Sequence, residues 1–157
     1  MVKLPIVGHV MSLVRSSGAG KTKRLSLSRE ERLRLGFDQA PVGIALASAD
    51  GHWLQINDRF RDLIGYTREE LARITFHSIT HPEDAKKEAA LVRKLVGGDV
   101  DSFRFEKRVM EKRGRYRAID VVTSVVRLDG GGHFFVYVIE DSAHAAPKRA
   151  DGGVREA

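Results

Sequence analysis

One uninterrupted run of short elements, residues 37–84, most constrains what this chain can fold into. It begins with an apolar strand over residues 42–49, which an Asp-Gly pair joins to a second strand over residues 52–56. Asp-Gly between two apolar runs is a signal for a two-residue hairpin turn. Three small helices follow, the first two opened by Asn57 and Thr67 as capping residues. This order predicts a small sheet with helices folded over one face, a layout more typical of sensing and docking than of catalysis.

A further helix is predicted before the first strand. Ser28 and Glu31 have the spacing of a capping box, which predicts a short N-terminal helix over residues 28–36 that ends at Gly36. Pro41 then prevents the helix from continuing into the strand.

The second half of the chain completes the sheet. Pro82 stands at the first position of the longest predicted helix, residues 82–96, where its missing N–H is harmless. Alternation of apolar and polar residues predicts three more strands, over residues 102–111, 116–128 and 133–141. Strands at both ends of a helical middle favour an α+β fold, in which one antiparallel sheet is covered by helices on one face.

The net charge of +6 is concentrated at the N-terminus. Residues 1–35 hold eight basic and two acidic side chains, whereas residues 36–143 hold sixteen basic and seventeen acidic ones. A folded body without excess positive charge is not a nucleic-acid platform, so nucleic acid is not expected as a partner. We expect a basic flexible arm over residues 1–27, one folded domain over residues 37–143 and a disordered tail over residues 144–157.

Membrane contact is expected only through the basic arm. Its apolar run, residues 4–14, is about half the length that a bilayer-spanning helix needs, which is roughly 20 residues. The chain contains no cysteine, which excludes disulfides, thiolate metal sites and cysteine nucleophiles. A cytoplasmic location fits that composition and is the one we expect. No Ser-His-Asp arrangement or pair of carboxylates stands out, so we predict no catalytic residues and no enzyme activity.

The glycine-lysine segment of residues 18–22 invites a nucleotide-binding interpretation. Its glycine amides and Lys21 could cradle phosphates, but Arg15 stands where the full pattern requires its first glycine. A nucleotide-using enzyme is therefore only a third hypothesis, and a flexible basic linker explains the segment as well.

His77 and His81 are four residues apart, with two carboxylates close by in the sequence. Imidazole and carboxylate groups are metal ligands. However, Pro82 interrupts any helix that would align the two imidazoles, so we predict no metal site.

Four sequence pieces, in order and at their spacings, resemble the PAS family over residues 33–141. These pieces are FDQAPVGIAL at 37–46, DGHWLQIN at 50–57, IGYTREEL at 64–71 and HPED at 81–84. The resemblance implies a five-stranded antiparallel sheet of order 2-1-5-4-3 and helices that can enclose a ligand. It also implies a role in sensing and protein–protein contact within signalling chains, commonly as a dimer.

The same resemblance bears on the cofactor, whose identity the sequence leaves unknown. Flavin-binding light sensors of the family use a reactive cysteine, which is missing here. Haem-binding members usually take an axial histidine from the long helix, and residues 85–96 contain none. Haem is therefore disfavoured, while a non-covalent flavin or an organic metabolite stays open as the alternative to a pure docking function.

Strand alternation and helix periodicity define the residues that we expect between sheet and helices. A packed core or a ligand cavity would use the same positions. The predicted interior residues are Leu46, Ile56, Phe60, Phe76, Val92, Phe105, Thr123 and Tyr137. The hydroxyl groups of Thr123 and Tyr137 need partners when buried and could orient a ligand.

The expected function is a non-catalytic signalling module that acts by docking to a signalling partner or to itself. The family often pairs through its N-terminal helix, so Leu25, Leu33 and Leu35, together with the first strand, form the predicted homodimer surface. Asp141 occupies the position of the family's signal-transmission motif, in which Ala143 replaces the usual threonine.

Overall fold

The computed structural model describes residues 27–143, and these contain five helices and five strands. In chain order the elements are α1 (Arg29–Asp38), β1 (Gly43–Ser48), β2 (Trp53–Ile56), α2 (Asp58–Ile64), α3 (Arg68–Leu71), α4 (Phe76–Ile79), α5 (Pro82–Gly97), β3 (Ser102–Met110), β4 (Tyr116–Arg127) and β5 (His133–Asp141). The segment of residues 18–22, the predicted tail, Leu25 and almost all of the predicted arm lie outside the described residues.

The strands form one antiparallel sheet in the order β2-β1-β5-β4-β3. The predicted fold class and strand order are thereby confirmed. The last strand, β5, lies between β1 and β4, so the two halves of the chain meet at the centre of the sheet. The edges are the four-residue β2 and the nine-residue β3.

The N-terminal helix begins where the capping box predicts and ends later than expected. The backbone N–H of Ser28 donates to Glu31 Oε2 at 2.7 Å, and the Glu31 N–H donates to Ser28 Oγ at 3.1 Å. The predicted end at Gly36 is wrong, because the helix runs through this residue to Asp38. A side chain at Gly36 would meet open space, so no close approach demands a turn there.

The inward face of β1 is the opposite of the one predicted. Ala45 and Ala47 are fully buried, whereas Leu46 is half-buried and points to the other face of the sheet. A Cβ atom on Gly43 would lie 3.1 Å from the Cβ atoms of both Ile139 and Phe60. Phe60 of α2 and Ile139 of β5 thus approach β1 so closely at Gly43 that a larger residue would be crowded there, and the large apolar residues of β1 lie on the outer face.

One buried side chain, that of Asn57, joins three segments around β1. Its Oδ1 accepts from the N–H of Ile44 at 2.9 Å and from that of Phe60 at 3.1 Å. Its Nδ2 donates to the carbonyl groups of Phe37 and Val42 at 3.0 and 2.9 Å. Asn57 is therefore the N-cap of α2 and, at the same time, the tie that fixes the entry into β1.

We expect Asn57→Ala to lower the free energy of unfolding by about 3 to 4 kcal/mol, since it removes a cap and leaves several buried backbone groups unpaired. Urea denaturation followed by circular dichroism measures the loss. The control is Thr67→Ala, which removes only the exposed cap of α3 and should cost about 1 kcal/mol. Equal losses in the two variants would contradict the role of the amide as a tie.

Candidate functional site

Four aromatic rings lie together between the sheet and the helices. The ring of Phe76 is at their centre, with ring centroids 5.1 Å from Trp53 and 4.6 Å from Tyr137. Trp53 also packs on Phe60, at 5.7 Å. Phe60, Phe76 and Tyr137 are buried, and all three were predicted to face the interior.

A charged side chain, Lys107, lies among these rings. Its ammonium group is fully buried and donates to both carboxylate oxygens of Glu88, at 2.7 and 2.8 Å. The same nitrogen lies 3.5 Å from the centroid of Phe76, in cation–π contact, and 5.9 Å from that of Tyr137. The pair links the middle of α5 to β3 inside the core.

Burial and pairing have opposite effects on this ammonium group. Burial lowers the pKa of Lys107 to about 8, and the attraction of Glu88 only partly offsets that effect. Burial also raises the pKa of Tyr137, and the negative charge of Glu88 adds to the rise. The interior therefore disfavours the charged form of a side chain. The Lys107–Glu88 ion pair forms despite the free-energy cost of burying both charges.

Sequence reasoning missed this pair, although a signal for it exists. Strand alternation assigns Phe103, Phe105 and Val109 to one face, and Lys107 falls at the intervening position of the same face. Glu88 lies one turn after Asp84 along the inward side of α5, where both are buried. A charged residue at an inward position on each of two elements is a usable indication of a buried ion pair.

A second ionic contact holds the N-terminus of α5 to the edge strand. Asp84 Oδ2 accepts from the backbone N–H of Arg108 at 2.8 Å and from its Nε at 2.9 Å, while Nη2 donates to Oδ1 at 2.9 Å. The N–H of His81 donates to the Arg108 carbonyl at 2.8 Å. The hydrogen bonds from Arg108 hold the pKa of Asp84 down, at about 2. The helix thus satisfies the free backbone groups of β3 at this residue.

Four buried side-chain polar atoms have no hydrogen-bond partner within residues 27–143: Nε of Arg61, Oγ of Ser142, and two atoms on inward-facing residues of the sheet. The two on the sheet are the Oγ1 of Thr123, on β4, and the Nε1 of Trp53, on β2. Thr123 is opposite Tyr137 in the strand register, so its hydroxyl group belongs to the same interior. Unpaired buried donors are uncommon in folded proteins, because each costs free energy on desolvation.

The structure brings most of the predicted interior residues to the helix-covered side of the sheet. Ile56, Phe60, Phe76, Thr123 and Tyr137 are buried there. Val92 and Phe105 are half-buried, and Phe105 is opposite the buried Val121 in the strand register. Leu46 is the exception, since it lies on the outer face. Ligand binding by any of these residues stays a prediction.

Asp141 ends β5 in contact with a basic side chain. Its Oδ2 accepts from Nη1 of Arg117 at 2.7 Å, and Nε of the same arginine donates to Glu111. Asp141 Oδ1 also accepts from the N–H of Ala143 at 3.2 Å. The residue at the predicted transmission position is therefore tied to both ends of the β3–β4 hairpin turn.

A shallow surface pocket of about 70 Å³ lies beside Asp141, where β1 begins and β5 ends. Arg59 and Leu63 of α2 also line it, and none of the predicted interior residues does.

Within residues 27–143 no group of three or more histidine or acidic side chains is arranged to hold a metal ion. His81 instead serves as the N-cap of α5, with Nδ1 accepting from the N–H of Glu83. No helix in this same range is long and apolar enough to cross a membrane.

The outer face of the sheet, which we define by three cross-strand rows on β1, β5 and β4, is mainly apolar. Residues opposite one another in the register share a face. The rows are Ile44–Val138–Val122, Leu46–Val136–Ser124 and Ser48–Phe134–Val126. Val122 and Val138 are 37% and 36% exposed. Leu33 of α1 is 65% exposed as well, while Leu35 is half-buried.

The chain is similar to known proteins both in sequence and in fold. A family model described as the PAS fold matches residues 54–139. The chain is 32% identical over 142 residues to the probable diguanylate cyclase DgcE of Escherichia coli (strain K12), and the match covers 90% of this chain and 13% of DgcE. The PAS domain of an HTR-like protein from Haloarcula marismortui is similar in structure, with a TM-score of 0.60, 24% identity, and coverage of 71% of this chain and 90% of that one.

A PAS domain from Colwellia psychrerythraea has a TM-score of 0.65 at 16% identity, and the match covers 73% of this chain and 97% of that one. At these identities the two structures show the fold alone.

The contact between Asp84 and Arg108 predicts a defined dependence of stability on acid pH. Because the pKa of Asp84 falls from 3.8 to about 2 in the folded state, its contribution is complete above pH 4 and is lost as the pH falls towards 2. Asp84→Asn should therefore lower the free energy of unfolding by about 1 to 2 kcal/mol at pH 6 and by much less at pH 2.5. Urea denaturation at both pH values measures the difference.

The matched control for this prediction is Glu83→Gln. Glu83 binds the same guanidinium group at 2.9 Å, but its side chain is 70% exposed. Its replacement should have a clearly smaller effect at either pH. A loss in Asp84→Asn that is the same at pH 6 and pH 2.5 would contradict the prediction.

Proposed function

This chain belongs to the PAS-fold family of sensory and signalling domains, and we propose that it acts without catalysis, by pairing with a second copy of itself through the outer face of its sheet. The apolar rows of that face are the single observation that carries the proposal. Helices α2 and α5 pack on the opposite face, so the valine, isoleucine, leucine and phenylalanine side chains of the outer rows point away from both of these helices.

The charges next to the apolar rows are already paired within the domain. Arg104 donates to Asp120 at 2.7 to 2.8 Å, and its Nη2 lies 3.7 Å from Glu140. An apolar face without an unpaired charge favours an identical surface over a strongly charged partner. Two copies related by a two-fold axis would place the same rows against each other.

The relative with a stated activity supports only a role in signalling. This chain spans 13% of DgcE, so we infer a sensory role from the likeness and no cyclase activity. A further signalling protein as partner and a cytoplasmic location stay predictions. We also propose that Asp141, held by Arg117, transmits the state of the sheet, and that Leu25, Leu33 and Leu35 extend the pairing surface.

We expect the full chain to sediment as a dimer at about 100 µM, and Val138→Glu or Val122→Glu to sediment as a monomer, because each places a charge in the apolar contact. Analytical ultracentrifugation measures the mass. The control is Val96→Glu: this valine is 40% exposed but lies on α5, on the covered side of the sheet, and its replacement should leave the dimer intact.

A monomeric parent chain at this concentration would refute the pairing. So would equal dissociation of the Val138→Glu and Val96→Glu variants, since the effect would then not be specific to the outer face.

A second candidate function, sensing of a small molecule in the interior, is favoured by the unpaired Thr123 hydroxyl and Trp53 indole N–H. We propose that an organic ligand, such as a flavin or a metabolite, would accept or donate hydrogen bonds there. Thr123→Val keeps the shape of the side chain and removes the hydroxyl group. Without a ligand, the variant should be more stable by about 1 kcal/mol, since it no longer buries an unpaired polar group.

Native mass spectrometry and an absorption spectrum of the purified parent chain test for the ligand itself. Added mass or a chromophore band that Thr123→Val loses would support this second function. A bare polypeptide mass, together with a stabilised Thr123→Val variant, would show a packed core and contradict it.

A further inference from the structure

Helix α5 is attached to the sheet at three points. At its N-terminus, Asp84 holds the backbone and guanidinium group of Arg108, and the His81 N–H donates to the Arg108 carbonyl. At its C-terminus, Nη2 of Arg127 donates to the carbonyl groups of Leu95 and Val96 at 2.9 and 3.3 Å. Both attachments are hydrogen bonds to backbone groups, at the N-terminal end with the edge strand and at the C-terminal end with carbonyl groups of the last helical turn, where intrahelical partners run out.

The middle attachment is of a different kind. Between Asp84 and Leu95, Glu88 is the only residue of α5 that is buried, while Leu91 and Val92 are half-buried. The Glu88–Lys107 pair is therefore the buried attachment of the central turns to the sheet, beside the half-buried Val92, which packs against the core. Both side chains are buried, and the ammonium group of Lys107 contacts the ring of Phe76. The free-energy cost of removing two ions from water opposes their mutual attraction.

A buried ion pair of this kind has two discrete arrangements. Either both groups are paired inside the core, or the helix moves away and both are hydrated. Intermediate positions leave a charge in the core with neither partner nor water, and are the least favourable. Packed elements with two such arrangements switch between them rather than deform gradually.

We propose that the central turns of α5, held by the Lys107–Glu88 pair, form a release point, at which the helix leaves the sheet while both of its ends stay attached. This device is independent of pairing through the outer face, and it operates in a monomer or a dimer. Its use would be to let a signal act on the core without unfolding the domain.

The charged and titratable groups around Lys107 determine how release depends on pH. They are Glu88 and Asp84, from α5, and Tyr137, from β5. In the attached state the pKa of Lys107 is about 8, whereas in the released state the hydrated amine returns towards 10.5. Between these values the released state binds more protons, so a rise in pH favours the attached state. Release should therefore decrease by roughly tenfold from pH 7 to pH 9.

The absence of cysteine from the sequence allows a direct test on the full chain. Val92→Cys places the sole thiol at the centre of α5, and Leu95→Cys places it at the buried C-terminal attachment. Ala90→Cys, on the exposed side of the same helix, gives the reference rate of thiol labelling at each pH. The ratio of each labelling rate to this reference measures release and cancels the pH dependence of the thiol itself.

We expect Glu88→Gln to raise the labelling ratio of Val92→Cys at least tenfold and to leave that of Leu95→Cys unchanged. The double replacement Lys107→Met with Glu88→Leu removes both charges and should return the ratio to the parent value or below. Equal acceleration at both thiols would show general unfolding and overturn the proposal, as would a double variant that labels as fast as the single one.

The pH arm needs no replacement at the ion pair, so it applies even if Glu88→Gln does not fold. The labelling ratio of Val92→Cys should fall about tenfold from pH 7 to pH 9 in the otherwise unchanged chain. In the double variant it should be constant over the same range. A ratio independent of pH in the chain with the intact pair would refute the release point.

Discussion

The hydrogen bonds of a single buried amide, Asn57, fix the geometry on which the rest of this domain depends. The amide sets where β1 begins and where α2 starts, and α2 carries Phe60 against β1. That close approach requires a residue without a side chain at Gly43, and the next two inward positions of β1 are alanines. The large residues of β1 lie on the outer face. One local constraint thus bears on both faces of β1.

The core built on this constraint is not uniformly apolar. Apolar residues of similar size at positions 88 and 107 would avoid the removal of two charges from water, so stability alone does not explain the pair. The pair does specify how the helix sits, because Glu88 can meet Lys107 at only one register of α5 on β3. Specificity of this sort has a cost in stability, and here that cost falls on the central turns, where Glu88 is the only buried residue between Asp84 and Leu95.

The sequence was sufficient to predict the order of elements, the helix caps and the antiparallel sheet, because each depends on local signals such as Asn57, Thr67 and Pro82. The inward face of β1 was not predictable in the same way. Strand alternation defines two faces of β1 but does not say which face the helices cover. Assigning the larger apolar residues to the interior is wrong here, because the structure buries Ala45 and Ala47 instead. Lys107 was missed because a charged residue on an apolar strand face is expected only once its partner on another element is known.

The two faces of the sheet are physically joined through β3, since neighbouring residues of a strand point to opposite sides. Lys107 faces the core and holds the centre of α5, whereas Arg108 holds the N-terminus of the same helix from the strand edge. Further along β3, Arg104 contacts Asp120 and Glu140 beside the outer apolar rows. If release of α5 changes pairing through the outer face by some factor, pairing must change release by that same factor, because coupling free energies are reciprocal. β3 is therefore a strand through which a change at the Lys107–Glu88 pair would reach the contacts of Arg104 beside the outer apolar rows.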